Sequence, residues 1–168
     1  MRIRHKLAGA IGVACAMAPL AGCEADPLPP PPAYAAYAGL PIRGSLADAR
    51  KAGFTRCAEV ARKLRCRRDG VLIEGEGPYD AAVDLTGSDG AGGFRELTLW
   101  HPSDQFSLYR VRDALKRKGW QSCITGEGMK GDQMIFTRRG APVRYSMDIS
   151  YWGKRRMRII AESGQPSC

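Results

Sequence analysis

Trp100-His101-Pro102-Ser103-Asp104 sets a histidine beside a hydroxyl and a carboxylate, the three side-chain types of an acyl-transfer triad. Adjacent residues at a strand end point in divergent directions, however, and triads are assembled across a fold rather than from neighbours. Ser103 and Asp104 are accounted for as caps of a following helix. A second pattern is acidic. Glu74-Gly75-Glu76-Gly77 and Gly126-Glu127-Gly128 place carboxylates in glycine turns, and paired carboxylates serve glycan hydrolysis when they flank one bond. Glycine-flanked glutamates at strand ends read first as hairpin turns. Gly90-Ala91-Gly92-Gly93 lacks the lysine and hydroxyl of a phosphate loop, so no nucleotide site is supported. No catalytic residue is assigned, and no cofactor is expected.

Basic residues are the better candidates. They cluster at Arg62 to Arg68, Lys116 to Lys118, Arg138-Arg139 and Lys154 to Arg158. Arg65, Arg67 and Arg68, with Lys154, Arg155, Arg156 and Arg158, form the expected anion-binding set. In Arg156-Met157-Arg158-Ile159 the basic positions alternate with apolar ones, which predicts one basic sheet face. The whole chain of 168 residues carries 26 Lys+Arg against 17 Asp+Glu, a formal +9. That balance suits anionic partners.

Which anions are within reach depends on location, and the first 23 residues address it. Arg2, Arg4, His5 and Lys6 make a basic head, and Leu7 to Leu20 follows without a charge. This is the plan of a secretory signal, too short for a spanning helix, which needs roughly 17–25 apolar residues. Leu20-Ala21-Gly22-Cys23 closes it and resembles the lipobox of bacterial lipoproteins at all four positions. The resemblance implies a signal peptide over 1–22, cleavage before Cys23 and a diacylglycerol thioether on Cys23. It also implies a further acyl chain such as palmitate on the new amino terminus. Glu24 stands where an aspartate would mark inner-membrane retention, so the resemblance implies an outer-membrane anchor facing the periplasm. Export removes nucleic acid as a partner. It leaves the membrane, through Cys23, and an anionic envelope component or envelope protein. Loss of Arg2, Arg4 and Lys6 lowers the basic count from 26 to 23 against 17 acids, a net of +6.

Pro27, Pro29 to Pro32 and Pro41, interleaved with alanines and tyrosines, read as an extended polyproline stalk over 23–41. The remainder, 42–168, is the length of one small domain. With Cys15 lost and Cys23 lipidated, Cys57, Cys66, Cys123 and Cys168 are left as an even set in an oxidising compartment. No two lie closer than nine residues, whereas zinc ligands cluster two to five apart, so no metal site is expected. Three pairings are open, and Cys57–Cys66 with Cys123–Cys168 is favoured. A hairpin turning at Ala61-Arg62 pairs Cys57 with Cys66 at a non-hydrogen-bonded site, where Cα atoms approach to about 4.5 Å. Ala61-Arg62 is a poor primed turn, and Glu59, Ala61, Arg62, Lys63 and Leu64 are good helix formers, so a helix there competes.

The positioning elements follow. Ser45 caps a short helix that stops at Gly53, and Ser103 or Asp104 caps a longer one to Lys118 with Leu108, Val111 and Leu115 on its core face. Strands are predicted at 71–74, 81–85, 94–101, 122–126, 133–138, 143–151 and 156–162. Asp48 to Cys57 echoes Asp113 to Cys123 in its glycine, aromatic and cysteine spacing. The expected fold class is α+β: two short helices packed on an antiparallel sheet, as two tandem helix-plus-strands units. Lipobox, stalk and small disulfide-bearing unit together are similar to small outer-membrane-assembly lipoproteins of the SmpA/OmlA type and to the β-lactamase-inhibitor-protein fold. That likeness is one of arrangement. The leading function is a non-enzymatic binding or scaffolding lipoprotein; the alternative is a periplasmic hydrolase or an inhibitor of an envelope enzyme.

Overall fold

The computed structural model describes residues 36–126, 131–150 and 155–162. It opens with a two-stranded sheet, β1 (Ala36–Tyr37) and β2 (Leu40–Pro41). Helix α1 (Leu46–Lys51) precedes β3 (Arg56–Val60), β4 (Lys63–Ile73), β5 (Glu76–Thr86) and β6 (Glu96–Trp100). Helix α2 (Leu108–Arg117) precedes β7 (Gln121–Thr125), β8 (Gln133–Thr137), β9 (Val143–Asp148) and β10 (Met157–Ala161). All eight later strands join one antiparallel sheet in the order β3-β4-β5-β6-β10-β9-β8-β7.

The expected α+β class is corrected by this arrangement. The molecule is mostly β, an eight-stranded antiparallel sheet plus a two-stranded one, with only two helices among the described residues. The reason lies in β4 and β5, each 11 residues long. Strand β4 alternates basic with apolar residues from Lys63 to Arg67 and runs on through Arg68, Asp69 and Gly70, with register shifts around Val71, so the expected hairpin arm and the expected strand at 71–74 are one strand. The helices are only 6 and 10 residues long, so the sheet supplies most of the core.

Register shows how the two faces divide. Cys57, Cys66, Val83 and Leu97 pair in succession across the first four strands, and Ile159, Tyr145, Phe136 and Ser122 continue that row across the others. This face is apolar, and Cys66, Val83, Leu97, Ile159, Tyr145 and Phe136 are fully buried. The adjacent row has opposite chemistry: Arg56, Arg67, Ala82, Thr98, Arg158, Ser146, Ile135 and Cys123. Successive strand residues point to opposite faces, so the two rows lie on opposite sides of the sheet. Cys57 and Cys123 therefore face opposite ways. The echo between the halves does not extend to the phase of the strands that follow each helix.

Helix α1 forms because Ser45 and Asp48 make a reciprocal capping box, and only Ala49 is buried along it. Helix α2 buries Leu108, Val111, Ala114 and Leu115. Its start differs from expectation. His101 Nδ1 accepts the backbone N–H groups of Ser103 and Asp104 at 3.3 and 2.8 Å, and the Asp104 carboxylate accepts from Phe106 N–H at 2.8 Å. Those bonds hold a turn, so the helix begins at Leu108 and Ser107 is its cap residue. Tyr79 hydroxyl donates to the Ser107 carbonyl at 3.0 Å and fixes that start against β5.

The hairpin between β3 and β4 has the expected register, with Val60 opposite Lys63 and Cys57 opposite Cys66. A Cys57–Cys66 disulfide closes it, with Cα atoms 4.0 Å apart. Ala61 and Arg62 adopt φ of +50° and +63°, the left-handed pair that a two-residue primed turn requires. Cys123 is disulfide-bonded as well, and its proposed partner Cys168 lies outside the described residues. Folded structure also reaches into the segment assigned to the stalk. Leu40 and Pro41 are buried, and Tyr37 packs edge-on against Trp120 and Tyr145, because these apolar side chains complete the core at that end. Cys23 and the remaining stalk prolines lie outside the described residues.

Candidate functional site

The face of the sheet opposite the core carries a polar row whose centre is small. Ala82 and Thr98 form a floor, and Arg65, Arg67, Trp100 and Arg156 wall a hollow of 120 Å³ above it. Sites for drug-sized molecules run to about 300–1,000 Å³, so this hollow matches one ionised group or side chain. A neighbouring hollow shares Arg65, Thr98 and Arg156 and adds Arg158, Gln133, Asp84, Glu96 and Asp148. Four arginines thus meet three carboxylates across strands β4, β5, β6, β9 and β10.

Each arginine is held differently. Arg65 makes a two-pronged pair with Asp84, Nε to Oδ1 and Nη2 to Oδ2, both at 2.6 Å. That hydrogen bonding raises the Arg65 guanidinium above its already high ordinary value, so it stays charged. Arg158 Nη2 donates to Ser146 Oγ at 3.2 Å and reaches Gln133 Oε1 at 3.5 Å, which aims it along the row. Arg67 lies over the Trp100 ring, 5.8 Å from its centroid. Among the described residues neither Arg67 nor Arg156 is ion-paired, and both are exposed. These two are the cations open to a ligand.

The structure brings together four of the seven expected residues. Arg65, Arg67, Arg156 and Arg158 share the open face. Arg68 points to the other side, where Nη1 donates to the Ala52 carbonyl at 2.8 Å and stabilises the end of α1. Arg155 stacks on Tyr109 at 4.3 Å and Phe106 at 5.7 Å and donates to the Asp148 and Gln105 carbonyls. Lys154 lies outside the described residues. Sequence reasoning missed Thr98, Trp100 and Ala82. Their signal is the alternation of Glu96, Thr98 and Trp100 with Leu97 and Leu99, visible once β6 is placed in phase.

The side chains considered for acid/base chemistry have other work. His101 holds the turn before α2 and meets Tyr79 edge-on. Glu76 lies 3.7 Å from both Arg110 and Arg117. Glu74 is the first turn residue between β4 and β5, with φ of +56°, and its side chain is 6% exposed. It accepts from Tyr145 Oη at 2.5 Å, Lys118 Nζ at 2.6 Å and Tyr37 Oη at 3.2 Å. Burial pushes its carboxyl up, but the bonds from Lys118, Tyr145 and Tyr37 outweigh burial and hold it below the ordinary range. Burial and the adjacent Glu74 carboxylate push the Tyr145 phenol far up. Glu127 lies outside the described residues. Among the described residues no group of three or more histidine, cysteine, aspartate or glutamate side chains is placed to hold a metal ion.

Comparison with family models, with curated proteins and with solved structures finds no match for this chain.

Proposed function

We propose that this chain is a membrane-anchored bacterial lipoprotein and a non-enzymatic binding module of the cell envelope. Its open sheet face receives an anionic group of an envelope component. One observation carries the binding half: Arg65, Arg67 and Arg156 converge over a floor of Ala82 and Thr98, with Arg158 in the adjoining hollow, and among the described residues neither Arg67 nor Arg156 is ion-paired. A guanidinium presents a rigid fork of donors that matches carboxylate and phosphate, so this arrangement selects such groups. The anchoring half is supported by the basic head, the apolar run and Leu20-Ala21-Gly22-Cys23. Two acyl chains suffice for stable anchoring, since each buried methylene contributes about 0.8 kcal/mol. With Glu24 rather than an aspartate after the lipid site, the anchor sits in the outer membrane facing the periplasm, with 1–22 removed and the prolines after Cys23 as spacer.

A two-part experiment tests the reading. A clickable fatty acid should label the wild-type chain and not Cys23→Ser; equal labelling of both contradicts the anchor. The unlipidated Cys23→Ser chain should still be retained by isolated envelopes at low salt. Retention should fall about tenfold in Arg67→Glu/Arg156→Glu, given roughly 1.5–3 kcal/mol for hydrogen bonds to charged groups. Unchanged retention contradicts the arginine site.

A further inference from the structure

We propose that β3 is a docking edge for an acidic, extended polypeptide, which adds a strand to the sheet and lays a carboxylate against Arg67. The inference rests on the binding reading above and names the partner class as protein. Strand β3 is one border of the eight-stranded sheet. Its turn is a two-residue primed turn, so Val60–Lys63 is a hydrogen-bonded pair and the pattern alternates outward from it. The N–H and C=O groups of Cys57 and Glu59 then point away from β4, along the border of the sheet.

Proteins blunt exposed edges with proline, bulges or inward-pointing charges. Strand β3 has no proline, its register with β4 is unbroken from Arg56 to Val60, and its one charge on the core side, Glu59, is itself exposed. The Cys57–Cys66 disulfide pins the edge to its neighbour, so it is ordered before a partner arrives and little ordering entropy remains to oppose association. Beside it a shallow groove runs along the open face, lined by Arg56, Ala58, Val60, Arg65 and Arg67. Small, apolar and cationic positions therefore alternate with outward backbone groups. In strand addition, main-chain bonds supply affinity and such side-chain positions supply selectivity. Val60 is 42% exposed, apolar surface that a partner would cover.

Charge sets the identity of the partner. A second copy of the chain would bring Arg56, Arg62, Lys63 and Arg67 against the same residues, whereas an acidic strand meets complementary charge. Phosphate alone would leave the backbone of β3 unused. Arg65 and Arg56, already engaged by Asp84 and Asp69, form fixed walls, and Arg67 is the open cation of the groove.

The probe is a synthetic heptapeptide alternating glutamate with threonine, added to the full Cys23→Ser chain. Binding is read by fluorescence anisotropy and by amide hydrogen exchange. The expected result is at least tenfold slower exchange at the Cys57 and Glu59 amides. Binding should weaken about tenfold in Arg67→Glu and be lost in Glu59→Pro, which removes an outward donor without a β3–β4 bond. Because Glu59→Pro could perturb folding, a peptide N-methylated on its pairing edge provides the second arm and should not bind to the wild type. Binding that survives both changes but requires Arg67 overturns strand addition and leaves the arginine site standing. No peptide binding, with Arg67-dependent binding of phosphatidylglycerol vesicles or pyrophosphate, overturns the protein partner alone. If none of these probes depends on Arg67, both readings fall. Sedimentation showing a dimer that Glu59→Pro disrupts overturns the acidic partner in favour of a second copy.

Discussion

Glu74 illustrates how a residue suited to acid/base work is consumed by structure. Its backbone sits in the left-handed region that favours glycine, and its carboxylate joins the amino-terminal hairpin, β9 and the end of α2 through Tyr37, Tyr145 and Lys118. Replacing Glu74 with alanine should lower stability by about 2–4 kcal/mol in urea unfolding, because a buried phenol loses its acceptor. The acid dependence follows from the sign of the shift. A carboxyl held below its ordinary 4.5 contributes stability that is present above that value and lost as pH falls through the lower folded value. The gap in melting temperature between wild type and Glu74→Gln should therefore be constant from pH 7 to 5 and narrow only at pH below 4.5. Narrowing at neutral pH would contradict the assignment. At the site itself, Trp100→Ala should weaken anion binding several-fold with little change in stability, since Trp100 supports Arg67 from the open face.

At the scale of elements, the β3–β4 hairpin was legible in register and not in turn chemistry. Counting outward from Ala61-Arg62 places Cys57 against Cys66, and that pairing is present although neither turn residue is the asparagine or glycine that a primed turn prefers. The disulfide and the strand pairing hold Ala61 and Arg62 at positive φ. Ala61→Asn with Arg62→Gly should accordingly stabilise the chain by about 1 kcal/mol in denaturant titration. Loss of the bridge in Cys57→Ser/Cys66→Ser should cost about 2–3 kcal/mol. The Ser88 to Gly93 segment is fixed by a chain of backbone bonds, and a Cβ added to Gly93, at φ +66°, would lie 2.5 Å from the Gly44 carbonyl oxygen. Gly93→Ala should destabilise by more than about 1 kcal/mol. The α+β expectation failed for a related reason. Helical periodicity in 108–115 was easy to read, but β4 and β5 hide their length behind charged residues that face solvent, and only long-range pairing reveals them as the centre of one sheet.

For the whole molecule, the basic excess of the sequence sorts into separate uses once the sheet forms. Arg68 steadies a helix end, Arg155 stacks on aromatics, and Arg65, Arg67, Arg156 and Arg158 gather on the face that no helix covers. Linear clustering could not separate these groups, because strand phase and cross-strand register decide which neighbours share a face. The alternation around Arg156 and Arg158 identified one of the contributing strands, while Thr98 and Trp100, from a strand that carries no arginine between 96 and 100, complete the site unseen. Placed on a lipid anchor and a spacer, this face would work at short range from a membrane, with salt weakening whatever it holds. The central claim is tested most directly by in-cell photo-crosslinking from a benzophenone side chain installed at Ala58, an exposed position on the same face beside Arg65 and Arg67. The expected result is a discrete adduct in the envelope fraction that is lost in Arg67→Glu/Arg156→Glu and retained when Arg68, on the other side of the sheet, is replaced by glutamine. An adduct indifferent to Arg67 and Arg156, or no adduct with the folded chain present in the envelope, would contradict it.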